Sequence, residues 1–541
     1  MGSPPADVAV GRRHPSLRHR RGGSNQPCSS RPWPDRHRRG SGLEVAGETV
    51  AVVPHLSPGA ASALRTALPR SRYTTDGVRE LLGPSAHAAL GRGEIEPAFR
   101  ASRDGGELGV LVRLLLLGAT EPDAAVAAAL APLAPADAAA AGLLTPSGQG
   151  WRAALDLRPY GDDDGDWWVL SDLDARRHER DHVTGVGAAS LTLAAATVRR
   201  PVGSLLDLGT GCGVQALHAG RHARAVTATD VAPRALAMAR ATFALNDMDV
   251  ELLDGPWLEP VAGRRFDQIV SNPPFVPGPA RVDYVYRDSG QDGDAALAAL
   301  LRALPDHLEP GGVAQLLGSW LHVRREDWPD RVRSWLPPGV DAWIVQREVS
   351  DPALHVGTWQ RDAGLDLASP DAREQAGAWL DWMERENVEA VGFGFLTVRR
   401  TDGEPTVVFE DLLGDVADPL GPETAGWLDR IDWLRAHAGD EALLAAPLTV
   451  ASSVVLETYA EPGAEGWTEV GAAVARLDGP RWRHEVDGPA AALLAGCQGA
   501  LALGELVELL AVAHDRPTDE LVAAALPAVR EFVRHGVLVP A

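Results

Sequence analysis

The sequence predicts an α/β protein built around a doubly wound, largely parallel sheet, and three observations predict it. Between residues 171 and 400, apolar strand-like runs alternate with amphipathic helical stretches. The run Leu205-Leu206-Asp207-Leu208 breaks into Gly209-Thr210-Gly211-Cys212-Gly213, an apolar strand entering a glycine loop. Further on, Ile269-Val270-Ser271 ends in Asn272-Pro273-Pro274-Phe275, a second strand cut short by an amide and two prolines.

Residues 1–44 have no hydrophobic period and carry nine arginines (Arg12, Arg13, Arg18, Arg20, Arg21, Arg31, Arg36, Arg38 and Arg39). They read as a disordered basic tail, with a nucleic-acid-binding arm as the alternative. Residues 45–170 read as a small helical domain that closes on a β-ribbon, in the manner of a winged helix. Its helices are expected at Ala60–Leu68, Thr75–Leu82, Leu108–Leu117, Asp123–Leu130 and Pro135–Leu144, with Thr74 and Thr75 as caps. Its strands are expected at Trp151–Pro159 and Trp167–Leu170. The acidic character of this module favours a lid over a DNA-binding role.

Seven strands are predicted over 171–400: Ser204–Leu208, Ala225–Thr229, Val250–Leu253, Phe266–Ser271, Val313–Gly318, Ala342–Val349 and Val391–Val398. Helices fit Val214–His222, Pro233–Asn246, Ala295–Leu308, Arg325–Trp335 and Pro370–Glu386; Pro233 suits a first helical position, where its missing N–H goes unnoticed. Residues 401–541 read as an α+β, winged-helix-like unit. Its strands are expected at Leu448–Thr458 and Thr468–Leu477, and its helices at Gly504–Ala513 and Thr518–His535.

Composition narrows the function classes. Of a formal charge of −23, the tail contributes positive charge, so the remaining body is strongly acidic, and every basic residue besides histidine is arginine. Such a body repels phosphate backbones. Cys28, Cys212 and Cys497 offer neither a disulfide framework nor zinc spacing, as suits a reducing compartment. The longest apolar run, Leu108–Ala119, is too short for a membrane span and contains Arg113. The expectation is a soluble, cytoplasmic protein with no membrane partner and no metal. The Arg-Arg-His-Glu-Arg-Asp-His run at 176–182 reads as a solvated face, because its arginines would repel a cation.

The glycines of Asp207-x-Gly209-x-Gly211-x-Gly213 let the backbone approach a ligand without Cβ collisions. Asp230 ends the next strand, where a carboxylate can accept hydrogen bonds from ribose hydroxyls. The dinucleotide spacing is not met, since Val214 and Gln215 follow the third glycine. The arrangement resembles motif I of class I methyltransferases that use S-adenosylmethionine (SAM). The resemblance implies a Rossmann-like seven-stranded sheet with SAM as cofactor. It places Asp207 and Gly209 at the methionine end, with Thr210, Gly211 and Gly213 as further cofactor-binding residues of the loop, Asp230 at the ribose, and Asp254 and Trp257 beside the adenine. The glycine-hinged segment before the fold, His182–Thr192, offers Thr184 and Ser190 as candidate cofactor contacts, with an ordinary hinge and helix cap as the alternative.

An amide or exocyclic amino nitrogen is a poor nucleophile because its lone pair is delocalised. The Asn272 side-chain oxygen and the Pro273 carbonyl can accept its two N–H bonds and aim the lone pair, Pro274 stiffens the turn, and Phe275 offers an apolar face. These four are the candidate catalytic residues. The motif resembles the N-P-P-[FY] of amino-methyltransferases, which act on glutamine N5 of release factors (HemK-type), guanine N2, or adenine N6. Asp254-Gly-Pro-Trp257 and Arg287-Asp-Ser-Gly290-Gln-Asp-Gly293 resemble HemK-type segments. Ser289, Asp294 and Ala295 depart from that pattern, as do the large flanks. The reading is an N-methyltransferase for a planar amide or amino group, with protein glutamine N5 in front. The alternatives are a nucleic-acid base, a small molecule, or a non-catalytic SAM-binding regulator.

Overall fold

Leu205 and Leu206 face opposite sides of one strand, and both are fully buried. A sheet covered on both faces explains why its strands read as continuous apolar runs. The computed structural model describes residues 53–541 apart from 163, 164, 175, 176, 178, 464 and 465, so the basic tail lies outside the described residues. Its centre is an eight-stranded sheet: β1 (Val202–Leu208), β2 (Ala223–Asp230), β3 (Glu251–Asp254), β4 (Phe266–Ser271), β5 (Leu308–Val323), β6 (Val340–Ser350), β7 (Val388–Arg400) and β8 (Val407–Asp411). The strand order is β8-β6-β7-β5-β4-β1-β2-β3. The strands from β5 through β4, β1 and β2 to β3 are parallel, and β7 runs antiparallel to β5 and β6. The seven expected strands are all present. The eighth, β8, pairs in parallel with β6, so the sheet runs past the boundary placed at residue 400.

One face of the sheet joins Leu205, Val270 and Leu317 to Val214, Met238 and Phe243, and continues into a core from the N-terminal segment that includes Leu64, Leu111 and Leu114. The other face joins Leu206, Leu208, Ile269, Leu316 and Leu396 to Leu297, Leu301 and Trp328. The C-terminal segment has its own core around Leu448, Val474, Leu506, Val529 and Phe532. It meets the sheet where Trp343 stacks on Trp427, ring centroids 5.4 Å apart.

Several expected elements change shape. Thr74 is the N-cap of Thr75–Gly91, accepting from the Gly77 N–H, so Thr75 is the first helical residue rather than a cap. The helix expected over 108–117 is α-helical only for Gly106–Leu111 and then widens into a π turn. The strand expected over 151–159 is two strands in different sheets, Gly150–Ala153 and Asp156–Asp162. Likewise 448–458 splits into Pro447–Val450 and Val454–Gly463, because the two halves bond to different partners. The helix after the glycine loop stops at Ala219, where Gly220 forms its cap, rather than at His222. Two helices fill the connection between β6 and β7: α1 (Pro352–Asp362) and α2 (Pro370–Arg385). The first went unpredicted although Asp351 caps it, accepting from the Leu354 N–H at 2.9 Å. The N-terminal segment shares a core with Cys212 of the glycine loop and packs against the helix Pro233–Leu245. There Arg65 donates to the Ala244 carbonyl, and Asn246 exchanges hydrogen bonds with the Trp168 backbone.

Candidate functional site

Register brings the predicted residues together. Leu208 of β1 pairs with Thr229 of β2 on one side and Ser271 of β4 on the other, and Asp230 pairs with Asp254 of β3. The glycine loop, Asp230, Asp254 and Asn272 therefore leave the same end of four adjacent parallel strands. The crevice between β1 and β4 is where the strand order reverses, the place where open α/β sheets bind ligands. Ser271 donates its hydroxyl to the Leu208 carbonyl at 2.8 Å, so Asn272 emerges beside Gly209.

The loop is held open by backbone geometry. Gly209 and Gly211 have φ of +75° and +57°, and an ideal Cβ on either would meet nothing within 4 Å. Left-handed backbone facing free space is a cradle a side chain would fill. Gly213 differs: its φ is +94°, and a Cβ there would lie 2.7 Å from Phe243, so its role is packing.

Asp207 is buried beneath this loop. Its Oδ2 accepts from the Thr210 hydroxyl at 2.7 Å and from the Ala216 N–H at 3.0 Å, whereas Oδ1 is buried without a partner. Burial pushes its carboxyl up to about 7, against the two hydrogen bonds, and the Asp230 charge adds to the rise. A carboxylate oxygen left without a donor under a glycine cradle fits a ligand ammonium. Asp230 organises the loop from the side: its Oδ2 accepts from Gly211 N–H and its Oδ1 from Ala232 N–H, both at 2.9 Å. Asp254 is exposed, and Trp257, with φ +51°, packs beside Leu258 and Val261 at the edge of the sheet core. Thr184 is exposed in the segment before the fold.

Asn272 is half-buried, and its Oδ1 is buried without a partner. Phe275 lies against Phe393 of β7 and Trp359 of α1, with centroids at 5.3 Å and 6.2 Å. The loop that follows, 276–294, is ordered by groups the sequence left without a role. Asp288 Oδ2 accepts from the Asp283 and Tyr284 N–H groups, and Arg287, buried, donates to Asp288 and to the Trp359 carbonyl at 2.9 Å. Asp294, a departure from the HemK-type pattern, is bound by Arg331 and by the Leu321 N–H.

Three further features were not foreseen. Asp172 and Arg234, both buried, form an ion pair, and Asp172 Oδ2 also accepts from the Val183 N–H, which closes the loop 172–183. That loop reaches the acceptor loop, where Val285 N–H donates to the Arg180 carbonyl at 3.1 Å. The helices α1 and α2 cover the acceptor loop from its other side. His355 donates from Nε2 to the Pro277 carbonyl at 3.2 Å, and burial pushes its imidazole down to about 4. The signal for α1 was present in Ser350-Asp351-Pro352, a capping pattern that went unused. The Asp172–Arg234 pair spans sixty-two positions and carries no local signal. Among the described residues, no group of three His, Cys, Asp or Glu is placed to hold a metal ion, and no helix is long and apolar enough to cross a membrane.

With this geometry in view, comparison with known proteins is direct. Residues 183–317 match the family model described as "Methyltransferase small domain". Residues 70–154 and 425–540 match two further family models, both described as domains of unknown function. Similar curated proteins include release factor glutamine methyltransferases. The one from Deinococcus radiodurans is 37% identical over 123 residues, covering 21% of this chain and 44% of that protein. The one from Koribacter versatilis is 34% identical over 171 residues, covering 28% and 59%. This chain spans between 43% and 64% of the length of the first curated relatives it matches. Among solved structures, a methyltransferase from Pyrococcus furiosus aligns at 18% identity over 39% of this chain and 81% of that one, with a TM-score of 0.25.

Proposed function

We propose that the chain is a SAM-dependent methyltransferase that methylates a planar amide or amino nitrogen, with the side-chain amide of a protein glutamine as acceptor. The carrying observation is Asn272: its unpartnered Oδ1 stands at the end of β4, in register beside the open Gly209 turn of β1. The glutamine assignment rests on the release factor glutamine methyltransferases matched over the same segment.

Asp207 Oδ1 receives the ammonium of the cofactor, which restores the ionised carboxylate that burial alone disfavours. The open backbone at Gly209 and Gly211, with Thr210 between them, would hold the methionine portion. Each Asp230 oxygen uses one acceptor site on a loop N–H and keeps another for a ribose hydroxyl. Asp254 and Trp257 flank the base, and Thr184 closes over the cofactor from the preceding segment. Bound SAM supplies a methyl group on a sulfonium, a strong electrophile.

At the acceptor side, Asn272 Oδ1 and the Pro273 carbonyl accept the two N–H bonds of the amide. The nitrogen lone pair is thereby turned out of conjugation and aimed across the crevice, while positive charge developing on nitrogen meets two oxygen dipoles. Pro274 fixes the turn, and Phe275, backed by Phe393, holds the flat group. After transfer the nitrogen bears a proton too many and releases it to water; no side-chain base is needed. The test is to incubate a cell extract with the protein and SAM labelled in its methyl group. Label on glutamine in the protein fraction supports the reading. Label confined to RNA, DNA or small molecules replaces the acceptor, and its absence from all fractions overturns the activity.

A further inference from the structure

The acceptor loop does not face open solvent alone. It is bound along its length by the helices α1 and α2, which the chain inserts between β6 and β7. Five side-chain contacts tie the two together. His355 donates to the Pro277 carbonyl, Arg287 to the Trp359 carbonyl, Tyr286 to Asp362, Gln375 to Asp283, and Trp382 to Asp292. An apolar seam of Val276, Leu321, Val356, Trp379 and Met383 lies beneath them. The helix pair thus walls one side of the loop that leads to Asn272.

That wall is acidic. Residues 351–387 hold eight carboxylates against three arginines, and the loop 276–294 holds four against two. Within that loop Arg281 pairs with Asp283, Arg287 with Asp288, and Arg331 reaches in to pair with Asp294, so the acidic excess of the wall comes from the helices. Gln375, Trp379 and Trp382 form the stripe of α2 that touches the acceptor loop, and Asp371 lies one turn before Gln375 on that stripe. Asp371 and Glu374 are exposed.

Resting on the methyltransferase reading above, we infer that the acceptor is a cationic protein segment, selected by the acidic helix pair that flanks the acceptor loop. The wall attracts arginine- and lysine-rich chain toward the unpartnered Asn272 and repels a phosphate backbone. Neutral small acceptors gain nothing from it.

Two labelled peptides test this, each with one central glutamine, one flanked by arginines and the other by glutamates, with binding to the full chain plus SAM followed by fluorescence anisotropy. At about 50 mM salt the arginine peptide binds at least tenfold more tightly, and the gap narrows at about 500 mM as screening shortens the reach of the wall. Asp371→Arg with Glu374→Arg weakens the arginine peptide roughly tenfold. A control with Glu461→Arg and Glu469→Arg, exposed on the distant hairpin Val454–Arg476, changes it less than about twofold. SAM affinity by calorimetry is the same in both variants. Equal losses in the two variants, no loss in the wall variant, or tighter binding of a single-stranded RNA oligonucleotide each overturns the inference. If the wall variant binds and methylates the arginine peptide normally, only the selection by charge fails. If Asn272→Ala still transfers methyl groups, the reading of the acceptor site itself fails.

Discussion

Removing the Asn272 amide separates a binding role from a structural one more cleanly than any other change to this site. Its Oδ1 has no partner in the protein, so Asn272→Ala abandons no donor and leaves no buried group newly unpaired. The asymmetry that makes most buried polar deletions destabilising is therefore absent, and the melting temperature should move by no more than about 2 °C. The proposed cofactor contacts lie at the ends of β1, β2 and β3 and in the segment before β1, not on β4, and SAM affinity by calorimetry should stay within about twofold. Methyl transfer should collapse. One preorganised dipole aimed at charge developing in the transition state is worth about 10²–10³ in rate, or roughly 3–4 kcal/mol, and loss of the aim adds to it. The assay is single-turnover transfer of labelled methyl to extract protein with SAM saturating, so that binding and chemistry stay apart. Transfer at the wild-type rate would refute the assignment of Asn272, and lost transfer accompanied by equally lost SAM affinity would refute the separation of the two sites.

Asp207 makes the cofactor affinity depend on pH. Its folded carboxyl titrates near 7, far above its unfolded value, so SAM affinity should fall about tenfold from pH 8 to pH 6 as the carboxylate becomes protonated, and Asp207→Asn should flatten that profile. Without cofactor the same group should make the wild type lose stability as pH rises from about 4 to about 7, because the folded state holds the proton more tightly; chemical denaturation at several pH values reads it. Gly209→Ala and Gly213→Ala should fail differently. Both add left-handed strain of about 1–3 kcal/mol, but only the first places a methyl in the open cradle, so it should lower SAM affinity beyond its effect on folding. Arg234→Ala removes the buried cation from Asp172, which keeps its Val183 N–H, and should cost about 3–5 kcal/mol in denaturant melts, with Asp172→Asn in the same chain recovering part of it.

What the sequence disclosed and what it concealed divide along a physical line. The strand ends were legible because local rules govern them: an apolar run, left-handed glycines, an acidic strand terminus and a proline-stiffened turn each announce themselves within a few residues. Parallel register did the rest, placing Gly209, Asp230, Asp254 and Asn272 at one edge although up to sixty-three positions separate them. The groups left unread act across the fold. Arg287 entered the sequence reading only as part of a HemK-like segment, and its acceptor, the Trp359 carbonyl, lies seventy-two positions away. The helix Pro352–Asp362 has half-exposed or exposed residues on most of its surface, and its amphipathic stripe is short, so its period was weak even though its cap was plain. The strands at 151–159 and 448–458 read as single units because apolar content does not report where a chain changes hydrogen-bonding partner.

The same division bears on how activity and selectivity are distributed. The residues assigned to cofactor and acceptor nitrogen stand on rigid strand ends, each fixed by a neighbour in register, as the geometry of an in-line displacement demands. The helices α1 and α2 meet the acceptor loop through inward side chains, the Trp359 carbonyl and the contact of Trp359 with Phe275, while their carboxylates Asp371, Glu374, Asp381 and Glu384 are exposed. Their exposed carboxylates can change without disturbing Asp207, Gly209 or Asn272, so selectivity can vary while the transfer geometry stays fixed. Exchange of exposed acidic residues on the outer face of α2, such as Asp381 and Glu384, for serine should therefore raise KM for the arginine-flanked peptide and leave kcat within about twofold. A fall in kcat with KM unchanged would mean that the helix pair participates in aligning the reacting groups, and the distinction between wall and site would have to be abandoned.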